Sequence, residues 1–339
     1  MSGFTRWASV AVLSVLALAA QTKKIVVSGQ TPDVIRDWQS ASNKVTLVSA
    51  DKDTVMKEIA DADAYIGGDI TPAMVRAGRK LQWVQVLSAG VERVLHLSGG
   101  NDLRDSNIVV TNNQIVQGPE IADHAMAMLL ALTRQLPLYF GDRMQENWRR
   151  ERFLGIELNT KNAVVIGCGG IGQQIALRAW AHGMKVTCVD PEDLPYSPFI
   201  VKTVKPDQLD EVIPSADVVF ISAPHTEKSH KMMGPRQFEM MKKNSYFIAV
   251  SRGGIYDMPS LVKALDSKLL AGAGVDVTDP EPLPKGHALW KFENAIITPH
   301  IAGRSDLDRG RMLGTVKENI RRFADGKPLI NVVDKHKGY

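Results

Sequence analysis

Ala163-Val164-Val165-Ile166-Gly167-Cys168-Gly169-Gly170-Ile171-Gly172-Gln173-Gln174 reads as a β-branched strand that enters a glycine-rich turn and leaves it as a helix. Glycines at 167, 169 and 172 have the spacing of a dinucleotide-binding turn. The first makes the tight turn, the second lets backbone approach a pyrophosphate, and the third lets the helix pack close to the strand. A helix-compatible run at 173–182 follows, and the exposed amides of the helix start then face the phosphates. Such turns are common, so context matters. A second strand at 185–189 follows and ends in Asp190, eighteen residues beyond Gly172. An acidic side chain there either begins a turn with Pro191 or bonds the adenosine ribose, and the latter favours NAD over NADP.

At 339 residues and 44% apolar, the chain is long enough for two domains with cores, and 23% charged residues argue against long disorder. The formal charge is +4, and basic residues are dispersed, with short clusters such as Arg149-Arg150 and Arg321-Arg322. No nucleic-acid partner is expected from so dispersed a charge. Arg6 precedes an apolar run at 8–20, broken by two serines, with small residues Ala17, Ala19 and Ala20 where a signal peptidase could cut. Residues 1–20 therefore read as a secretory signal, too short for a stable membrane span. The alternatives are a mis-called start or a short interfacial helix, which leave the protein cytoplasmic. An exported (periplasmic) enzyme would have to carry NAD tightly bound. Cys168 in the turn and Cys188 in the next strand read as two buried thiols rather than a disulfide. No metal is expected.

Strands alternate with helices before the turn, at 25–28, 44–48, 64–66, 83–87 and 108–110, and Thr31-Pro32 and Thr71-Pro72 offer helix starts. Such alternation predicts a small doubly wound α/β domain. A longer helix begins at Pro119-Glu120, repeats Ile121, Ala125, Met128, Leu129, Leu132 and Leu136 at helical spacing, and is expected to stop at Pro137. Its stripe suits a core or a subunit interface, and Trp148 beyond it suits the interface or a cap on a neighbouring subunit's cleft. After the turn, six strands are readable at 185–189, 200–203, 218–222, 246–250, 274–277 and 295–298, with a proline-rich loop at 191–198. A last helix at 305–323 is too short for its own domain and is expected to pack back on the first, making that domain discontinuous.

In a doubly wound sheet, ligands bind beyond the carboxyl ends of the strands. Those ends carry Asp190, then Ala223-Pro224-His225-Thr226, Ser251-Arg252-Gly253-Gly254, Asp276 through Glu281, and Thr298-Pro299-His300. An arginine, a glutamate and a histidine so placed suit reduction of a 2-oxo acid. A guanidinium grips a carboxylate in two prongs. An imidazolium can protonate the oxygen as hydride reaches carbon, and a carboxylate beside it orients the ring and favours its charged form. His225 is a candidate for the nicotinamide end, whereas His124, on the apolar helix, reads as structural.

Gly90-Val91-Glu92, the glycine turn, Ser251-Arg252-Gly253-Gly254, Gly274-Val275-Asp276-Val277 running to Glu281-Pro282-Leu283-Pro284, and Ile297-Thr298-Pro299-His300 together resemble the D-isomer-specific 2-hydroxyacid dehydrogenases. The resemblance runs from about Lys24 to the end of the chain. It implies an α/β fold of two doubly wound domains, a Rossmann-type NAD-binding domain at 118–303 inserted in a discontinuous flavodoxin-like substrate domain at 24–117 plus 304–339. It also implies a cleft between them and a homodimer. By the same resemblance Arg252 holds the substrate carboxylate, His300 is the acid/base, and Glu281 pairs with His300. Backbone amides of Ala89, Gly90 and Val91 add donors to the carboxylate. The cofactor set is Gly167, Gly169, Gly170, Ile171, Gly172 and Asp190, with Pro224, Thr226, Ser251, Asp276 and Gly303, and Asp276 would contact the nicotinamide carboxamide. Ala249 stands where asparagine is common, Cys168 where leucine is, and Glu92 where aspartate is.

The expected activity is NAD-dependent interconversion of a small 2-oxo acid and its 2-hydroxy acid, of glyoxylate, hydroxypyruvate or pyruvate type. The rivals are an NAD-binding regulatory protein on the same fold and a phosphoglycerate dehydrogenase without its tail, since 39 residues follow His300. A short-chain dehydrogenase is excluded by the mid-chain position of the turn and the lack of a Tyr followed four residues later by Lys.

Overall fold

The computed structural model describes residues 22–95, 100–150 and 155–339, and the stretch read as a signal lies outside them. In chain order the first part runs β1 Lys23–Ser28, α1 Pro32–Gln39, β2 Val45–Ala50, α2 Val55–Glu58, β3 Ala64–Ile66, α3 Pro72–Ala77, β4 Trp83–Gln85, α4 Glu92–Leu95, α5 Asp102–Asp105 and β5 Val109–Thr111. Two helices follow, α6 Gly118–Thr133 and α7 Leu136–Met144. The remainder runs β6 Asn162–Ile166, α8 Gly170–Ala181, β7 Lys185–Val189, β8 Lys202–Val204, α9 Leu209–Val212, β9 Val218–Ile221, α10 Pro235–Met240, β10 Ser245–Ala249, α11 Met258–Asp266, β11 Leu270–Val275, β12 Ala295–Ile297 and α12 Asp308–Ala324.

Among the described residues there are two parallel sheets, of order β2-β1-β3-β4-β5 and β12-β11-β10-β9-β6-β7-β8. Side chains alternate across a strand, and both faces are used. Val164 and Ile166 of β6 enter one apolar cluster, whereas Ala163 and Val165 enter the other. The five-stranded sheet is covered likewise, and Val316, Ile320 and Phe323 of α12 complete the cluster containing Ile25, Val27 and Trp38. Trp38 Nε1 donates to the Leu313 carbonyl at 3.1 Å. Buried Asn319 donates to Gln85 Oε1 at 3.0 Å, which also accepts from Thr111 Oγ1 at 2.8 Å. The last helix therefore packs on the first sheet, as its shortness led one to expect.

Beyond α12 the chain stays on that sheet and then reaches the other. Val333 N donates to Val110 O at 2.8 Å, and Lys335 Nζ sits among the carbonyls of Leu103, Ser106 and Ile108. Lys337 then pairs with Glu192 at 2.6 Å, just past the end of β7.

Two expectations need correction. The apolar helix does not run to Pro137: α6 ends at Thr133, Gln135 takes φ 52°, and Pro137 lies in the first turn of α7. A proline lacks the N–H that a first turn leaves unused, so it opens a helix as readily as it closes one. Nor are the cysteines free thiols, because Cys168 and Cys188 form a disulfide with a Cα–Cα distance of 6.0 Å. The turn folds back over its neighbour: β6 and β7 are paired with Val165 opposite Cys188, and the Cys168 amide donates to Asp190. Twenty residues apart in sequence, the two are adjacent only through that strand pairing.

Closing a loop of this length should contribute about 3 kcal/mol through the unfolded state. Urea unfolding of Cys168→Ala/Cys188→Ala should show that loss, with the reduced wild type matching it. Two titratable thiols in the oxidised, denatured wild type would show that no bridge forms.

Candidate active site

The glycine turn has the shape that its spacing predicts. Gly167 adopts φ +86°, and a β-carbon on Gly172 would stand 2.0 Å from the Gly167 carbonyl oxygen. Any larger residue at 172 would push α8 away from β6. Over Gly169 nothing lies within 4 Å of where a β-carbon would be, and no side chain caps the start of α8. The open face and the free first-turn amides of a twelve-residue helix form a cradle that suits a pyrophosphate. Asp190 is buried and turned toward the turn itself: Oδ2 accepts from Cys168 N at 2.6 Å and Oδ1 from Glu192 N at 2.9 Å.

The loop after β9 carries Pro224 and Thr226, and Ser229 ties it down by donating to Pro224 O at 2.6 Å and accepting from Thr226 N at 2.8 Å. His225 in this loop lies against Gly254 and contacts His230 Nδ1 through Nε2 at 3.0 Å. Burial, then the neighbouring His230, lower its pKa, so the ring favours the neutral form. Ser251, after β10, is buried with its hydroxyl unpaired. Gly303 accepts from Gln117 Nε2 at 2.9 Å.

Asp276 organises the last strand ends. It is 2% exposed and accepts from Thr298 Oγ1 at 2.5 Å, Ile301 N at 2.9 Å and Ala302 N at 2.9 Å. His124, from α6, reaches Thr298 Oγ1 at 2.9 Å. The carboxylate expected at the nicotinamide thus grips the segment that bears His300. That histidine has φ 53°, donates its backbone N–H to Asp276 O at 2.8 Å, and places Nδ1 3.0 Å from Glu281 Oε2. A carboxylate accepts only, so Nδ1 carries the proton. Glu281 is itself held by Thr278 N at 3.2 Å.

Arg252 reaches across from the seven-stranded sheet to the loop after β4. Its Nε donates to Glu92 Oε1 at 2.7 Å and Nη1 to Ser251 O at 2.8 Å. Burial pushes the Glu92 carboxyl up, but the charge and hydrogen bond of Arg252 outweigh it and hold the group below the usual carboxylate value. A β-carbon at Gly90 would lie 2.0 Å from Arg252 Nη2, so the guanidinium rests on that glycine. Asn112 Nδ2 and Ser88 Oγ bind the carbonyls of Ala89 and Gly90, at 2.6 and 2.7 Å, and set the peptide planes of the Ala89-Gly90-Val91 loop.

Arg252, Gly90 and Glu92 thus meet in one corner, and His300 and Glu281 pair as predicted. Sequence reasoning noted Glu92 only as a departure; its partner 160 residues away left no local signal. His230 and Asn112 were missed, for neither lies in a recognisable motif.

A family model for the "D-isomer specific 2-hydroxyacid dehydrogenase, NAD binding domain" matches residues 126–302. The glyoxylate reductase of Thermococcus litoralis is 32% identical over 245 residues, which cover 67% of this chain and 70% of that protein. Two D-3-phosphoglycerate dehydrogenases, of Methanocaldococcus jannaschii and Archaeoglobus fulgidus, are 29% and 30% identical over 92% and 84% of this chain. The matched regions span only 59% and 53% of their lengths. The crystal structure of a D-isomer specific 2-hydroxyacid dehydrogenase family protein from Aeromonas salmonicida aligns with a TM-score of 0.77 at 27% identity, covering 93% of this chain and 99% of that one. Fold, cradle and strand-end residues define an α/β dinucleotide-binding scaffold. The chain belongs to the D-isomer-specific 2-hydroxyacid dehydrogenase family, and NAD is the cofactor of the matched unit.

Asp276→Asn should disrupt the knot, because an amide cannot accept all three bonds. We expect a stability loss of about 2–3 kcal/mol by urea unfolding, together with weaker turnover. A variant as stable as the wild type would show that the knot does not hold the segment.

Proposed function

We propose that the protein is an NAD-dependent D-2-hydroxyacid dehydrogenase, working mainly as a reductase of a small 2-oxo acid of the glyoxylate, hydroxypyruvate or pyruvate type. The observation that carries this reading is the convergence of Arg252 with Gly90, and of His300 with Glu281, at strand ends of the sheet that bears the cradle. NADH supplies the hydride when bound. Arg252 holds the substrate carboxylate through Nη2 and the free N–H of Nη1, helped by the loop Ala89-Gly90-Val91. His300, with Nδ1–H committed to Glu281, has Nε2 left to give its proton to the carbonyl oxygen as negative charge develops there. Glu281 fixes the ring and stabilises its charged form. Asp190, buried at the end of β7 beside the glycine turn, puts a carboxylate where the adenosine ribose would lie, which supports NAD over NADP.

The domain division at 24–117 plus 304–339 and 118–303 belongs to this proposal, supported by the packing of α12 on the five-stranded sheet. So does a homodimer. Leu136, Phe140 and Met144 recur every fourth residue along α7 and are 39%, 59% and 76% exposed, with Trp148 91% exposed beyond them. An apolar stripe of this kind suits a partner. A tail-less phosphoglycerate dehydrogenase is the second reading, favoured by the relatives of that name.

His300→Gln should lower kcat by about 100- to 10,000-fold in an NADH assay with a panel of 2-oxo acids, while NADH binding persists. Arg252→Ala should lower kcat/KM by about 10- to 100-fold, chiefly through KM. Unchanged turnover in either variant would remove that residue from the mechanism, and a wild type that binds NADH but reduces no 2-oxo acid would favour the regulatory rival. In light scattering the wild type should have twice the chain mass, and Phe140→Asp/Met144→Asp should halve it. A monomeric wild type would end the dimer proposal.

A further inference from the structure

The glycine turn follows β6, which stands between β9 and β7 in the seven-stranded sheet. The loops after β7 and β9 are therefore the two rims of the crevice beyond the turn, and with the ribose at Asp190 the adenosine half of the dinucleotide lies between them. Residues 334–339 reach both rims. Lys337 Nζ pairs with Glu192 Oε1 at 2.6 Å, and Tyr339 Oη donates to the same oxygen at 3.0 Å. On the other rim a β-carbon at Gly338 would stand 3.6 Å from Thr226 Cγ2, so the Gly338 backbone runs beside that loop. Burial, then the Glu192 carboxylate, push the Tyr339 phenol up to about 12, and Asp190 adds to the shift. The hydroxyl thus keeps its proton for the bond to Glu192, within electrostatic reach of the carboxylate assigned to the ribose.

The segment is fixed from the five-stranded sheet. Val333 N donates to Val110 O at 2.8 Å, and Lys335 Nζ donates to the carbonyls of Leu103 at 3.2 Å and Ile108 at 3.0 Å. Beyond this anchor the chain closes on itself: Asp334 N donates to Tyr339 O at 2.9 Å, Gly338 N to Asp334 O at 2.8 Å, and Asp334 Oδ1 accepts from His336 N and Lys337 N, each at 3.0 Å. A turn ordered in this way loses little further freedom when a ligand slides beneath it. Asp190 takes no part in the grip, since its oxygens accept from Cys168 N and Glu192 N. Holding the rim and not the ribose carboxylate is the arrangement of a cover rather than of a plug.

We propose that residues 334–339 are a strap that closes the adenosine end of the cofactor site and slows release of the dinucleotide, with Lys337 and Tyr339 as its clasp on Glu192. The proposal rests on the placement of the adenosine ribose at Asp190 and is independent of which 2-oxo acid is reduced. The adenosine half leaves only when the clasp parts, so the strap acts on the dissociation rate. Lys337 and Glu192 are each about half exposed, which keeps their attraction small and the clasp able to open.

The test is NADH release followed by stopped-flow fluorescence. Lys337→Ala/Tyr339→Ala, which keeps the Lys335 anchor, should release NADH about three- to tenfold faster than the wild type, with Kd rising in step. Lys337→Arg keeps the ion pair and should stay near the wild-type rate. ADP-ribose, which has the adenosine half and no nicotinamide, should lose affinity for the double variant by the same factor as NADH. An unchanged release rate in the double variant, a Lys337→Arg protein as fast as the double variant, or a loss confined to NADH overturns the proposal. So does tighter NADH binding by the double variant, which would make the segment an inhibitory occupant of the adenosine site. A wild type and variants with the expected rates that reduce no 2-oxo acid leave the strap standing and overturn the dehydrogenase reading. A wild type that binds neither NADH nor ADP-ribose overturns the strap together with the placement of the adenosine.

Discussion

Asp276 is a carboxylate taken almost wholly out of water, a state that is tolerable only when its oxygens are hydrogen-bonded. Three donors satisfy it, all from residues 298–302, and its backbone carbonyl takes a fourth from His300. The segment after β12 is thereby pinned to the end of β11, with α6 joining through His124 and Thr298. This cage accounts for the left-handed φ of His300, which costs on the order of 1–2 kcal/mol for a side chain with a β-carbon and persists where the surroundings over-determine it. The position of the imidazole is set by the knot, and Glu281 then sets its orientation.

The opposite wall depends on a second close approach. Glu92 lies at the start of α4, after β4 of the five-stranded sheet, while Arg252 follows β10 in the seven-stranded one. Their ion pair joins the two sheets across the cleft and sits on Gly90, whose lack of a side chain makes room for it. At about a third exposed on each side, the pair is partly screened, and its importance lies in direction more than in strength. It aims one edge of the guanidinium at the loop and leaves the other free.

Much of this was legible in the chain because parallel strands buried on both faces are short apolar runs that end in chemistry. The β3 and β7 boundaries agree with the structure to the residue, and Arg252, Glu281 and His300 could be singled out by inspecting strand ends. Local pattern fails where spatial neighbours decide. The break between α6 and α7 is made by Gln135 in the left-handed region, and a proline two residues on reads equally as a stop or a start. The disulfide follows from the β6–β7 register, which places Cys188 beside the strand leading to Cys168. Glu92 looked like a minor departure from a motif, because its partner lies on the other sheet. The role of Asp276 in holding residues 298–302 left no local signal either, because its three donors lie on the segment after the next strand.

The packing of α12 has a consequence for the order in which the protein is made. Trp38 finds its hydrogen-bond partner at Leu313, and the core formed by Ile25, Val27 and Trp38 is closed by Val316, Ile320 and Phe323. The first sheet emerges early from the ribosome yet must wait, one apolar face only partly covered by α1, until α12 has been synthesised. The seven-stranded sheet, whose strands and covering helices are contiguous in sequence, can be complete before then. Domains generally fold as units during synthesis, so the middle of this chain is placed to fold first and its two ends to close together last.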